Sequence, residues 1–154
     1  KSAMIAVNAE RMYSMVDSLF KGLNLLVWLV GLGTLLAGAV GVSNIMMVTV
    51  RERTTEIGIR RAIGATPRMI LGQIMSESVI LTVSAGALGI MFSVLLLSAV
   101  DMLAGSMGVG TSFQVSFGTA VLAVSVLAVL GLAAGLAPAL RAMAVKPVDA
   151  MRDE

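Results

Sequence analysis

Three stretches of this sequence, 22–50, 78–100 and 119–140, contain no charged residue. A helix rises about 1.5 Å per residue, so the first stretch would reach about 43 Å, more than the ~30 Å hydrocarbon core of a bilayer. Hydrophobic residues make up 58% of the chain and charged residues 13%, and the mean hydropathy is +0.97. The sequence therefore predicts an all-α integral membrane protein with three transmembrane helices.

The composition excludes most kinds of catalytic site. Cys and His are absent, which removes thiol nucleophiles, imidazole bases and the usual zinc ligands. No Lys follows Gly, so no phosphate-binding P-loop occurs. Glu77 and Asp101, at the ends of the middle uncharged stretch, would lie about 36 Å apart along a helix, too far to share a proton. We therefore expect no enzyme activity, cofactor or metal in this chain, and no nucleic-acid partner.

The stretches and the segments between them predict a linear organisation. Residues 1–21 alternate apolar and polar side chains at helical spacing, which indicates an amphipathic stalk helix leading into the membrane. Packing of this helix on a neighbouring subunit or domain is favoured over lying flat on lipid, because its polar face is not rich in Lys or Arg. The expected order is stalk (1–21), span (22–50), charged element (51–68), span (69–100), loop (101–118), span (119–140) and tail (141–154).

The distribution of positive charge predicts the orientation. Of the eleven Lys and Arg residues, five lie in residues 51–68, which we call the charged island, and three in the tail, 141–154. The Gly- and Ser-rich loop 101–118 has none. Because basic residues are enriched on the cytoplasmic side, the island and the tail are expected inside and the loop outside. The N-terminal segment is expected outside as well; its three basic residues are spread along the helix instead of clustered.

The charged island is expected to fold as helix, stop and helix. Thr55 is suited to cap a short helix, and Gly64 to end it. Thr66 and Pro67 have the residue types of an N-cap and a first helical position. In the tail, Pro147 would suit the start of a further short helix.

Within the short helix of the island, side chains are expected to pair and to form an apolar face. Glu56 and Arg60 are four residues apart in the favourable order for an ion pair. Ile59 and Ile63 share one face, which needs cover from headgroups, the bundle or a docked protein. Beyond the helix, Glu77 is expected at the membrane edge, paired with an arginine of the island.

Small residues repeat every four positions in each span, which is typical of closely packed membrane helices. Pro138 is expected to bend or end the third span at the inner boundary. Asn44 is a strongly polar side chain in the inner half of the first span, where a cross-helix hydrogen bond and headgroup proximity are both open interpretations. The predicted packing residues are Gly33, Ala37 and Gly41 in the first span, Ala85 and Gly89 in the second, and Gly131 and Gly135 in the third.

Two regions of the sequence carry a resemblance to a known family. One is the run from Gly41 to Pro67, which contains Glu-Ile-Gly-Ile-Arg-Arg-Ala-Ile-Gly-Ala; the other comprises Pro138-Ala-Leu-Arg-Ala and Lys146-Pro-Val-Asp-Ala-Met-Arg. They resemble the FtsX-like permease domain of MacB-type ABC transporters. Thr55 stands where the family often has Arg, a small departure.

The resemblance implies a function and partners. The chain would be the C-terminal three of four spans of a permease in a bacterial inner membrane, working as a homodimer or with a paired permease. An ATP-binding subunit or domain, carrying ATP and Mg, would dock inside, and an extracytoplasmic adaptor is a further expected partner. ATP hydrolysis would be coupled mechanically to export. The alternative is an FtsX-type regulator or scaffold that recruits an ATPase without transporting a substrate. An independent small channel is a third, less favoured, hypothesis.

The resemblance also implies a docking helix. The segment 55–65 would be the coupling helix that contacts the ATPase. Its polar contacts would come from charged side chains and its apolar contact from isoleucines, with a glycine allowing close approach. The residues implied are Glu56, Ile57, Gly58, Ile59, Arg60, Arg61 and Ile63.

Overall fold

A computed structural model describes residues 1–110, 112 and 114–144. The helices are α1 (Ser2–Glu52), α2 (Thr54–Ala62), α3 (Pro67–Ser106) and α4 (Phe117–Met143), and no strand occurs in the described residues. Helices α1, α3 and α4 are long and apolar enough to cross a membrane. The all-α prediction with three spans and a short further helix is thus confirmed. The helix predicted after Pro147 lies outside the described residues.

The chain divides into two compact units, Lys1–Gly38 and Ala39–Glu154. The first unit is a single stretch of α1 whose side chains are almost all exposed, with an ion pair between Lys21 and Asp17 at 3.0 Å. The helix runs without a break through the predicted boundary between stalk and span. The second unit contains the last part of α1 and the other three helices, and it holds the apolar core.

The junction between α1 and α2 differs from the prediction. Thr55 does not cap α2; it lies inside the helix, and Arg53 occupies the N-cap position. The reason is that α1 continues to Glu52 and α2 begins at Thr54, which places Thr55 one residue inside the helix; the first bond of α2 runs from Ile57 N to Arg53 O at 2.9 Å. The hydroxyl of Thr54 donates instead to carbonyls of the preceding turn, at 2.7 Å to Arg51 O.

The junction between α2 and α3 follows the sequence signals. Gly64 has a φ of +116°, a backbone conformation that side chains with a Cβ rarely adopt, and it follows the last turn of α2. Thr66 is the N-cap residue of α3 with extended backbone, and Pro67 is its first helical residue. Both parts of the stop-and-restart prediction are confirmed.

Helices α3 and α4 form a closely packed hairpin. The hydroxyl of Ser78 is fully buried and donates to Gly131 O at 2.8 Å. A Cβ added at Gly131 would lie 3.1 Å from Thr82 Cβ, and one added at Gly135 would lie 2.7 Å from Ser78 Cβ. The absence of side chains at these two glycines therefore sets the distance between the helices.

The small-residue stripes divide into two groups in this structure. Gly131 and Gly135 lie against α3, where their partners are Ser78 and Thr82. Closer to the connection between the two helices, Leu127 of α4 fills the space beside Gly86 of α3. The remaining predicted packing residues are exposed, and nothing in the described part of the chain lies against a Cβ added at the glycines among them. Packing at those positions stays a prediction; they are Gly33, Ala37, Gly41, Ala85 and Gly89.

The apolar core lies at the inner ends of the helices. Pro138 does not end α4, which continues for a further turn to Met143; its ring is fully buried in the core region. The loss of one backbone donor at Pro138 is tolerated because the following residues, Ala139 and Ala142, are completely buried against neighbouring helices. The core cluster comprises Met46, Val50, Ile57, Ile70, Ile74, Ala139 and Ala142.

Candidate docking site

The short helix α2 presents two different faces. Ile57 is 6% exposed and belongs to the core cluster, and Gly58 beside it is also buried. On the opposite side, Ile59 is 45% exposed and Ile63 is 82% exposed. Successive helical residues are about 100° apart, so Ile59 and Ile63 project together while Ile57 points into the chain. We call the side with Ile59 and Ile63 the outward face.

The inward face is attached to all three long helices. Ile57 shares the core cluster with Val50 of α1, Ile70 of α3 and Ala139 of α4. Near the end of α2, Arg61 Nη1 donates to the carbonyl oxygen of Met143, in the last turn of α4, at 2.9 Å. This carbonyl is the last one of α4, so the guanidinium acts as a C-terminal cap. Ile57 and Arg61 thus join α2 to a core cluster that has members in α1, α3 and α4.

Five polar side chains also connect α2 to α3, and we call them the polar chain. Arg60 donates to Glu56 Oε1 at 2.7 Å and to Gln73 Oε1 at 2.7 Å. Gln73 in turn donates to Glu77 Oε1 at 3.4 Å, and Arg53 reaches the same carboxylate at 3.3 Å. The predicted pairing of Glu56 with Arg60, and of Glu77 with an arginine of the island, is confirmed.

Gln73 is the central residue of the polar chain, and the sequence reasoning missed it as part of the site. It lies in the second turn of α3, thirteen residues after Arg60 in the sequence. Its spacing of four residues from Glu77 was visible in the sequence, but a lone glutamine near a span gives no indication of its partner. Its amide oxygen accepts from a cation and its amide nitrogen donates to an anion.

We expect replacement of Gln73 by Met to loosen α2. Met keeps an unbranched chain of similar length but cannot accept from Arg60, and a hydrogen bond of this exposed, charge-assisted kind contributes about 0.5–1 kcal/mol. The amides of α2 should then exchange about two- to fivefold faster with deuterium, as measured by mass spectrometry. As a control, Arg68→Gln removes a charge from α3, the helix that carries Gln73, but outside the polar chain. It should leave the exchange rates of α2 unchanged. Equal rates in Gln73→Met and the unaltered chain would contradict this role.

The seven predicted contact residues are therefore not equivalent. Glu56, Ile59, Arg60 and Ile63 are exposed, while Ile57 and Gly58 are buried and Arg61 is half-buried. The resemblance offers Ile57, Ile59 or Ile63 for the apolar contact, and which of them meets a partner stays a prediction. The structure places the side chain of Ile57 in this chain's own core cluster. The apolar side chains that remain for a partner are Ile59 and Ile63.

Comparison with known proteins gives a consistent result. Residues 28–147 match the family described as FtsX-like permease C-terminal. Relatives include the macrolide export ATP-binding/permease protein MacB of Bdellovibrio bacteriovorus, 41% identical over 79% of this chain, and that of Neisseria gonorrhoeae, 34% identical over 96%. The chain spans only 18% and 22% of the length of these two relatives.

The match covers the charged island, all of the core cluster and the helices α2, α3 and α4. It also includes most of the apolar part of α1. With its three membrane-spanning helices, the chain is a multi-pass inner-membrane protein. It belongs to the FtsX-like permease family, as a membrane permease domain of the type found in MacB-like ABC transporters.

Proposed function

We propose that this chain couples ATP hydrolysis on an associated ATP-binding domain to movement of its membrane helices, and that the outward face of α2 is where this domain docks. The observation that carries the proposal is the contrast between the two faces of α2. Ile63 is 82% exposed, whereas Ile57, on the same helix, is 6% exposed within a core built from all three spans.

The outward face has the composition of a docking surface. Ile59 of α2 and Ile63, the C-cap residue that follows it, project beside the charged side chains of Glu56, Arg60 and Arg61. Exposed apolar side chains rimmed by charged ones are typical of protein interaction sites. A basic and apolar surface of this kind fits a partner with an apolar pocket bordered by carboxylates. The guanidinium of Arg60 already donates hydrogen bonds to Glu56 and Gln73 of the polar chain. We therefore assign the main contribution to the affinity for the partner to Ile59 and Ile63.

The inward face has the features needed for transmission. Ile57 packs among the three spans and Arg61 is bonded to the end of α4. Interiors packed in this way shift as units instead of deforming continuously. A push on α2 would therefore be passed to α1, α3 and α4 together. No substrate path through the spans is required by this mechanism.

The relatives support the identity of the partner. They are described as combined ATP-binding/permease proteins for macrolide export, so an ATP-binding domain accompanies a permease of this kind. In the proposal, ATP and Mg bind to that domain, two permease copies work together, and export is the outcome. An extracytoplasmic adaptor is a further part of the proposal, which rests on the family resemblance alone.

The test is the substitution Ile63→Asp in the complete transporter. The side chain is almost fully exposed, so the chain should fold normally, while a carboxylate placed against an apolar pocket should weaken association with the ATP-binding domain at least tenfold, as expected for a central contact. Binding of the purified ATP-binding domain to the permease in nanodiscs measures this. Reversing Arg60 and Arg61 would be less clear, because both make contacts within the chain.

The matched control is Met4→Asp, which replaces another exposed apolar side chain, 72% exposed, by the same acid. Met4 lies near the start of α1, far along the sequence from α2. Its substitution should leave the affinity unchanged. If Ile63→Asp bound the ATP-binding domain as well as the control did, the outward face of α2 would not be the docking site.

A further inference from the structure

A second surface, whose positive charge has no ion pair within the described residues, lies at the inner ends of α1 and α4. Arg51 is in the last turn of α1 and Arg141 in the last turn of α4, and both are exposed. Arg141 Nη1 lies 3.8 Å from the sulfur of Met47. Met47 and Arg51 are four residues apart, so they occupy the same face of α1. Arg141 therefore reaches the face of α1 that also carries Arg51, and we call the surface bordered by these two arginines the cleft.

Neither arginine of this cleft is neutralised by a carboxylate in the part of the chain that the structure describes. The ion pairs there are Lys21–Asp17, Arg53–Glu77 and Arg60–Glu56. Arg53, only two residues from Arg51, is paired with the carboxylate of Glu77. Two guanidinium groups held beside the same stripe without an anion repel each other, and an external anion would remove that repulsion.

Asn44 extends the polar edge of the cleft toward the membrane interior. It lies three residues before Met47 on the same face of α1, and it is exposed. From Asn44 to Arg51 the helix rises about 10 Å, a little more than the interfacial layer, which is about 5–8 Å thick on each side of a bilayer. A phosphate bound at Arg51 would therefore place Asn44 about one interfacial layer deeper, within reach of ester groups.

On the face of α4 that leads to Arg141, the preceding side chains are small. Ala133 and Ala137 precede Arg141 at intervals of four residues and are exposed. No long side chain therefore fills the space next to the arginine on its own helix face. An acyl chain lying along these alanines would place its headgroup at Arg141. Small residues alone would not indicate a ligand, but these alanines lead directly to Arg141, which together with Arg51 has no ion pair in the described residues.

We propose that this cleft binds an anionic phospholipid of the inner leaflet, with its phosphate between Arg51 and Arg141 and its ester oxygens near Asn44. Guanidinium groups match phosphate oxygens in two-pronged hydrogen bonds, which favours phosphate over a single carboxylate. The lipid surface supplies this ligand at the depth of the cleft, and basic residues next to a span are attracted to it. The site is separate from the outward face of α2.

Native mass spectrometry of the full chain, released from nanodiscs containing equal amounts of phosphatidylglycerol and phosphatidylcholine, tests the proposal. We expect the unaltered chain to retain phosphatidylglycerol with at least a tenfold preference. The double variant Arg51→Gln with Arg141→Gln should lose most of that preference. The matched control, Arg11→Gln with Arg68→Gln, removes the same charge from two exposed arginines without ion pairs in the described residues, and should change it less than twofold.

Several results would overturn the proposal. One is an equal loss in both double variants, which would show a general effect of charge. A second is retention of inorganic phosphate by the unaltered chain without retention of the lipid. A third is that Arg51→Gln with Arg141→Gln weakens binding of the ATP-binding domain and leaves the lipid preference intact. If the double variant does not fold, Arg141→Gln alone should still reduce the preference severalfold, and an unchanged preference would count against the site.

Discussion

Replacing Gly135 with Leu is expected to separate α3 from α4. A Cβ at this position would lie 2.7 Å from Ser78 Cβ and 2.9 Å from Ser78 Oγ, closer than such atoms approach in folded proteins. The helices would have to move apart, and the buried hydrogen bond from Ser78 to Gly131 would be lost with the contact. Overpacking of a close interface costs about 1–3 kcal/mol, and loss of the hydrogen bond adds about 1 kcal/mol.

The hairpin can be followed by energy transfer between dyes on cysteines introduced at Met69 and Ala144, since the chain has no native Cys. The midpoint of unfolding in mixed micelles should fall clearly in Gly135→Leu. Gly89→Leu is the matched control, because no atom lies within 4 Å of a Cβ added at Gly89. If the two variants had the same midpoint, the close approach at Gly135 would not determine hairpin stability.

Replacing Ile57 with Ala is expected to release α2 from the inner ends of the spans. Ile57 is the side chain of α2 in the core cluster, and its truncation would leave a cavity between Val50, Ile70 and Ala139. Large-to-small substitutions at such sites cost about 2–5 kcal/mol. We expect deuterium exchange in α2 to accelerate by more than tenfold and the unfolding midpoint of the chain to fall.

Ile63→Ala provides the comparison for Ile57→Ala on the same helix. The chemical change is identical, but Ile63 is 82% exposed, so its effect on stability should stay within about 0.5 kcal/mol. The two variants thus separate the inward face from the outward face. Similar exchange rates in both would mean that Ile57 does not anchor α2, and the route by which α2 moves the spans would have to be sought in the polar chain.

The features that the sequence predicted well are those set by local rules. Long uncharged stretches must be buried in lipid, whatever their neighbours are, so the three spans follow from composition. Gly64 and the pair Thr66 and Pro67 mark the turn between α2 and α3 through their own backbone preferences. Thr55 failed as a cap because a cap must precede the first helical residue, and the position of that residue, Thr54, depends on how far α1 extends.

The direction in which side chains face was harder to predict. Periodicity separated Ile57 from the face of Ile59 and Ile63, but which side of a nine-residue helix is covered depends on helices distant in sequence. In α3 two stripes have the same spacing of four: Ser78, Thr82 and Gly86, and Ala85, Gly89 and Ser93. Only the first faces α4. Spacing alone does not distinguish them, because the choice depends on the register of the partner helix.

The hairpin of α3 and α4 has a consequence for how the protein is made. Its two helices follow each other in the chain and are joined by a short connection, 107–116, so their contact requires little loop closure. The hydroxyl of Ser78 in α3 finds its acceptor, Gly131 O, in α4, the next helix to be synthesised. These helices can therefore leave the insertion machinery as a paired unit, with the polar group of Ser78 already shielded from lipid.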